Sequence, residues 1–199
     1  MKVVPLGEQP EGSRYLDLSG PDIDERAYSG QDSTVYRDTR TDRAIHVYHF
    51  LPLDGVAKYA RCMNAAALSL HAFPFTETIR FGSENYTSEA HANPVEEAGK
   101  KLFSFMGEER KHAYTISPFI DALSLCWPNQ TDDEHQRTVA KCFDMLFYDR
   151  VNDWIERQSS VRGVDINPVN VKFVVDRERQ RIQLMITDLA KNIGDVRLI

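Results

Sequence analysis

Apolar positions along this chain change period several times, and each change marks an element. Thr34-Val35-Tyr36-Arg37 and Ala44-Ile45-His46-Val47-Tyr48-His49-Phe50 are dense in β-branched and aromatic residues, so both read as strands. Asp38–Arg43 forms the turn between them, and Ser29-Gly30-Gln31-Asp32-Ser33 an earlier turn. From residue 54 the spacing becomes helical. Val56, Tyr59, Met63, Ala66, Ala67 and Leu70 fall on one stripe, and Asp54 can cap it, which predicts a helix over Asp54–His71. Thr78–Phe81 predicts a short strand, 82–95 a loop ending in Asn93-Pro94, and Glu96–Met106 a short helix. Ala113–Ser117 predicts a strand stopped by Pro118. Thr131-Asp132-Asp133-Glu134 is a capping-box pattern opening a long helix, about Asp132–Gln158. Its apolar stripe is Val139, Phe143, Leu146, Phe147, Val151, Trp154 and Ile155, which reads as core. Val171–Val175 and Ile182–Met185 predict a hairpin across the charged, solvated tip Asp176–Arg181. Residues 1–25 are polar and rich in Gly, Pro and Asp. They read as an irregular extension with one short strand at Arg14–Leu18.

This order (β-rich, one helix, β, long helix, hairpin) predicts an α+β protein with two lobes, which 199 residues can supply. Three parts follow: the extension 1–25, a β-rich part 26–120 with one main helix, and a part 121–199 with the long helix and the hairpin. A net charge of −6 argues against a broad nucleic-acid-binding surface. No apolar run is long enough to span a membrane, and Met1–Glu8 turns polar too early for a signal peptide. Cys62, Cys126 and Cys142 are few, odd in number and far apart. They read as buried, reduced thiols, which fits a cytoplasmic protein or one delivered into a host cytoplasm.

Two C-terminal stretches carry the candidate chemistry: Asp165-Ile166-Asn167-Pro168-Val169-Asn170 and Ile186-Thr187-Asp188-Leu189-Ala190. Phosphoryl transfer needs an acidic or polar group near the attacking hydroxyl and two oxygen ligands that hold Mg²⁺ against the phosphates. A strand pair with one ligand at each end supplies that geometry. Each stretch alone has a plain alternative: Asp-x-x-x-x-Asn recurs by chance, Asn-Pro favours a turn, and Asp188 can cap a helix. Their order downstream of Ala44–Tyr48 is harder to obtain by accident.

That order resembles the protein-kinase-like fold over about residues 26–190. Tyr28-Ser29-Gly30-Gln31-Asp32-Ser33-Thr34-Val35-Tyr36-Arg37 is similar to the strand–glycine-rich loop–strand that covers ATP phosphates. Ala44-Ile45-His46-Val47-Tyr48 is similar to the third strand, whose family pattern is Val-Ala-Ile-Lys. Tyr114–Ile120 would be the fifth strand and the hinge. Asp165 and Asn170 match the catalytic-loop Asp-x-x-x-x-Asn, and Asp188 the first residue of Asp-Phe-Gly, here Asp-Leu-Ala. The resemblance implies a nucleotide partner, with ATP and Mg²⁺ as cofactors. Asp165 would be the catalytic group, Asn170 and Asp188 the metal ligands, and Gly30, Ser33, His46 and Ser117 the nucleotide contacts.

The departures are specific. His46 replaces the strand-three lysine, and the helix that follows contains no Glu. One glycine stands where three are usual. Gly163 and Val164 replace the His-Arg before the catalytic Asp, and only eleven residues follow Asp188, so the resemblance implies a truncated C-lobe, that of a minimal kinase fold or of a longer chain cut at residue 199. His46 can equally be a packed strand histidine, and Gly30 a plain turn glycine. The expectation is therefore a divergent, minimal kinase that phosphorylates a protein or small-molecule hydroxyl. The alternatives are a pseudokinase acting as a nucleotide-binding or protein-interaction scaffold, and an unrelated α+β interaction domain.

Overall fold

The computed structural model describes residues 15–17, 23–24, 33–73, 78–81, 83–105, 108–125, 132, 137, 139–141, 143, 145–190 and 193–199. The protein is mixed α+β, with several sheets and few helices. It divides into two compact units: residues 1–60 with 94–119, and residues 61–93 with 120–199.

The first unit holds a six-stranded sheet in the order β1 (Tyr15–Asp17), β7 (Glu97–Phe105), β8 (Glu108–Pro118), β4 (Arg43–Tyr48), β3 (Ser33–Asp38), β2 (Ile23–Asp24). All pairings are antiparallel except β1 with β7. The register sorts the side chains by face. Tyr36 opposes Ile45, Ile45 opposes Ile116 and Val47 opposes Tyr114, and these five form one buried apolar cluster. The β3–β4 turn is held by Asp38, whose Oδ1 accepts the backbone N–H of Arg40 (3.0 Å) and Thr41 (3.2 Å). Asp42, at φ 54°, accepts Arg37 Nε and Nη2 at 3.1 and 2.8 Å. The Arg37 guanidinium lies 4.2 Å over the Phe119 ring.

Helix α1 (Leu53–Leu70) has the predicted stripe: Val56, Tyr59, Met63, Ala66 and Leu70 are buried. The second unit contains a five-stranded sheet in the order β5 (Thr78–Phe81), β6 (Glu84–Ala92), β12 (Arg181–Ile186), β11 (Val171–Asp176), β9 (Leu123–Ser124). It also contains α2 (Met145–Gln158) and a small ribbon of β10 (Val161–Arg162) with β13 (Arg197–Leu198). Phe147, Val151 and Ile155 of α2 are buried, as is Phe143 before it. The predicted hairpin is β11–β12, with an exposed tip at 177–180.

Three expectations are corrected. The expected loop over 82–95 is replaced at Glu84–Ala92 by β6, a nine-residue strand that pairs in parallel with β12. The buried face of β6 is Tyr86, Ser88, Ala90 and Ala92, whose small and polar members hide the period of two. The expected helix over 96–106 is replaced by a strand. Glu97–Phe105 is β7, held along its whole length by β8, and sheet pairing overrides local helical preference. The long helix from Asp132 is interrupted, since Phe143 lies in a bend and α2 begins at Met145. The N-terminal extension also supplies β1 and β2, at opposite edges of the sheet. Of the Thr131–Glu134 capping box only Asp132, exposed, is among the described residues, and Cys126 and Cys142 fall outside them; Cys62 is buried.

Candidate functional site

In the first unit the register brings Ser33, His46 and Ser117 to one face of the sheet. Ser33 opposes Tyr48, His46 opposes both Val35 and Thr115, and Ala44 opposes Ser117. Successive side chains alternate across a strand, so these residues lie opposite the apolar cluster. Ser117 and Thr115 are buried, while Ser33 and His46 are partly exposed. Thr115 shares a hydrogen bond with the Tyr48 hydroxyl (3.2 Å). His49 is on the other face, 2.8 Å from Thr34 Oγ1, so no His46–His49 metal pair forms. Gly30 lies outside the described residues.

In the second unit the segment 163–170 is irregular until its last turn, a 3₁₀ turn over Pro168–Asn170. Each backbone N–H in it has an acceptor. Gly163 and Val164 donate to Glu156 Oε1 at 2.8 and 3.2 Å. Asp165 donates to Leu189 O at 2.8 Å. Ile166 donates to Asn152 Oδ1 at 3.0 Å. Asn167 donates to Asn170 Oδ1 at 3.4 Å, Val169 to Asn167 Oδ1 at 3.1 Å, and Asn170 to Asn167 O at 3.0 Å. Pro168 has no N–H, and its fixed φ suits the start of the turn. An irregular loop with all its donors committed is held in one backbone geometry.

The same loop is tied to the second stretch. Thr187 donates its N–H (2.8 Å) and its hydroxyl (3.1 Å) to Asn170 O, and Asp165 reaches Leu189 O from the other direction. Leu189 donates to Asp188 Oδ1 at 2.9 Å, which orients that carboxylate. Asp165, Asn170 and Asp188 therefore sit on two adjoining segments stitched by three hydrogen bonds. Asp165 is exposed, Asp188 half-buried and Asn170 buried. With its N–H groups committed, the loop backbone offers no anion nest. What the two segments carry is oxygen: two carboxylates and the Asn170 amide, whose Oδ1 also accepts the Asn167 N–H.

No group of three or more His, Cys, Asp or Glu among the described residues could hold a metal ion by itself. Mg²⁺ does not require such a cage. It takes one or two protein oxygens together with substrate phosphates and water, so an amide and a carboxylate suit it. Two residues after Asn170, Lys172 donates to Ile120 O at 2.8 Å; burial lowers its pKa, and Asp121 partly offsets that.

Asn152, Glu156 and Thr187 were not among the sequence candidates. The first two are four apart on α2, off its apolar stripe, and that spacing ahead of an Asp-containing loop was the available signal. A groove of about 520 Å³ elsewhere in the second unit, lined by Leu68, Trp154 and Ile199 among others, contains none of the predicted site residues. No helix among the described residues is long and apolar enough to cross a membrane. No protein-family profile and no curated protein matches the sequence.

Proposed function

We propose that this chain is an ATP- and Mg²⁺-dependent phosphotransferase of a divergent, minimal protein-kinase-like type, with a protein or small-molecule hydroxyl as acceptor. The observation that carries the reading is the stitching of the Asp165–Asn170 loop to Thr187–Leu189. Asn170 and Asp188 flank the open end of the β11–β12 hairpin, and the Asp165–Leu189 bond draws the Asp165 segment beside them, which suits the chemistry. The first unit adds support. The strands matched to strand three and strand five are direct neighbours, and Ser33, His46 and Ser117 share a face. Phosphate and base contacts of one nucleotide need that proximity.

The roles follow from the chemistry of the groups. The exposed Asp165 carboxylate accepts a hydrogen bond from the acceptor hydroxyl and takes its proton. Asn170 and Asp188 provide the metal oxygens. Mg²⁺, when bound with nucleotide, neutralises and aligns the phosphate oxygens. Labelled-ATP transfer by the wild type, Asp165→Ala and Asp188→Ala tests the proposal. A signal abolished by both substitutions is expected, and equal signal from all three rejects it.

His46 favours a second reading. A neutral imidazole in place of an ammonium is a poor phosphate ligand, which suits a pseudokinase that holds nucleotide or a protein partner without turnover. Stabilisation by Mg·ATP with no transfer selects this reading. Neither stabilisation nor transfer selects an interaction domain.

A further inference from the structure

We infer that Glu156 and Asn152 are positioning residues for Asp165, so that helix α2 sets the carboxylate's place from outside the loop. The inference rests on the phosphotransferase reading for its catalytic consequence, and on geometry alone for the clamp itself. Asp165 sits between two anchored amides. Val164 N–H goes to Glu156 Oε1 and Ile166 N–H to Asn152 Oδ1, at 3.2 and 3.0 Å. The two acceptors are one helical turn apart and on the same side of α2. Glu156 also takes the Gly163 N–H, so one carboxylate oxygen holds two consecutive amides by charge-assisted bonds.

The loop needs an outside anchor because Gly163 and Val164 bring no hydrogen-bonding side chain of their own. Gly163 cannot be replaced by a residue that would. Its φ is +78°, and a Cβ there would lie 2.2 Å from Asp195 O. The anchoring helix is itself fixed. Phe147, Val151 and Ile155 are buried, and Trp154 Nε1 donates to Ser69 O at 3.0 Å. Arg162 Nη1 donates to Glu156 O and Ser159 O, which caps the helix's last carbonyls. A reactive group held through a packed helix keeps its geometry better than one held by a loop alone.

The test uses the full chain with Glu156→Leu, Glu156→Gln, Asn152→Leu and Asn152→Asp. Two readouts are taken: amide hydrogen exchange at 163, 164 and 166, and the kcat and KM(ATP) of transfer. Glu156→Leu should release the loop amides and lower kcat by about tenfold to a hundredfold, since misplacement of that order follows from small shifts. KM(ATP) should stay within about twofold, because the two Thr187 bonds to Asn170 O, which do not involve α2, are kept. Glu156→Gln and Asn152→Asp retain an acceptor oxygen and should restore both readouts. Where Glu156→Leu fails to fold, Asn152→Leu, which removes a single acceptor, carries the comparison at residue 166. Unchanged exchange and kcat in the leucine variants, or conservative variants as defective as the leucine ones, overturns the inference. If the wild type transfers no phosphoryl group, the functional reading falls by itself and exchange decides the clamp. Amides protected in the wild type and released only in the leucine variants uphold it; unprotected wild-type amides overturn it.

Discussion

The backbone carbonyl of Asn170 accepts two hydrogen bonds from Thr187, one from its N–H at 2.8 Å and one from its hydroxyl at 3.1 Å. Thr187→Val keeps the first and removes the second with little change in shape. The carbonyl retains a partner, so the loss is that of one ordinary hydrogen bond, about 1 kcal/mol in unfolding free energy. Denaturant midpoints measure it. Because the bond lies beside both proposed metal ligands, transfer should fall by roughly fivefold if the whole loss is expressed in the transition state. A variant as stable and as active as the wild type would show that the hydroxyl contributes nothing to the stitching.

Two glycines near the C-terminus make a matched pair. Gly163 has a left-handed φ, and an added Cβ would meet the Asp195 carbonyl oxygen at 2.2 Å; Gly194 has nothing within 4 Å of the same construction. Gly163→Ala therefore incurs the left-handed penalty, about 1–2 kcal/mol, and must also push the 193–196 turn away. Gly194→Ala should lie within about 0.5 kcal/mol of the wild type. Thermal or chemical unfolding of both variants checks the contrast, and equal effects would show that the 163–195 approach is relaxed in solution.

What was legible in the sequence tracks how regular the local pattern is. The β3–β4 hairpin, α1 and the β11–β12 hairpin were readable because bulky apolar residues repeat at one clear period within each. β6 was not, since its buried face is mostly Ser and Ala, and its partner β12 is distant in sequence. β7 reads locally as helix because its strand character comes from pairing with β8 rather than from its own residues. In the site, Asp165, Asn170 and Asp188 could be proposed from order and residue type. Asn152 and Glu156 are signalled only by their spacing, four apart on α2 ahead of an Asp-containing loop; that they accept backbone N–H groups is visible in the fold alone.

Tyr114 supplies a pH dependence. Its ring lies against Gly99, its register partner, where a Cβ would come within 2.8 Å of the phenol oxygen. The hydroxyl donates to Glu97 Oε1. Burial raises the phenol's pKa well above its ordinary value of 10.0, and the Glu97 carboxylate raises it further by accepting the hydroxyl's hydrogen bond and by its charge. From about pH 10 upward the unfolded chain releases a proton that the folded chain keeps, so stability falls as pH rises through that window. Tyr114→Phe should lose about 1 kcal/mol at neutral pH and flatten the decline above about pH 10. Denaturant midpoints across that range, with phenolate absorbance in parallel, give the comparison. An unchanged alkaline slope in the variant would assign it to other groups.

His46 stands between Val35 and Thr115 on the face that also carries Ser33 and Ser117. An imidazole there is short and, when neutral, contributes no charge to a triphosphate. Lysine at the same position places an ammonium further out from the same strand. If this face receives nucleotide, His46→Lys adds a charge-assisted contact worth about 1.5–3 kcal/mol, and Mg·ATP should bind roughly tenfold or more tightly. Turnover should rise if the new charge is felt more strongly in the transition state than in the bound ground state. Titration calorimetry with Mg·ATP and the labelled-ATP assay separate the two effects. A fall in both affinity and turnover in a folded variant would mean that the strand is wrongly aligned to the lysine-bearing one, and would remove the first unit's support for the phosphotransferase reading. A gain in affinity without any turnover would select the nucleotide-holding scaffold instead, since the missing charge would then be the lesser defect.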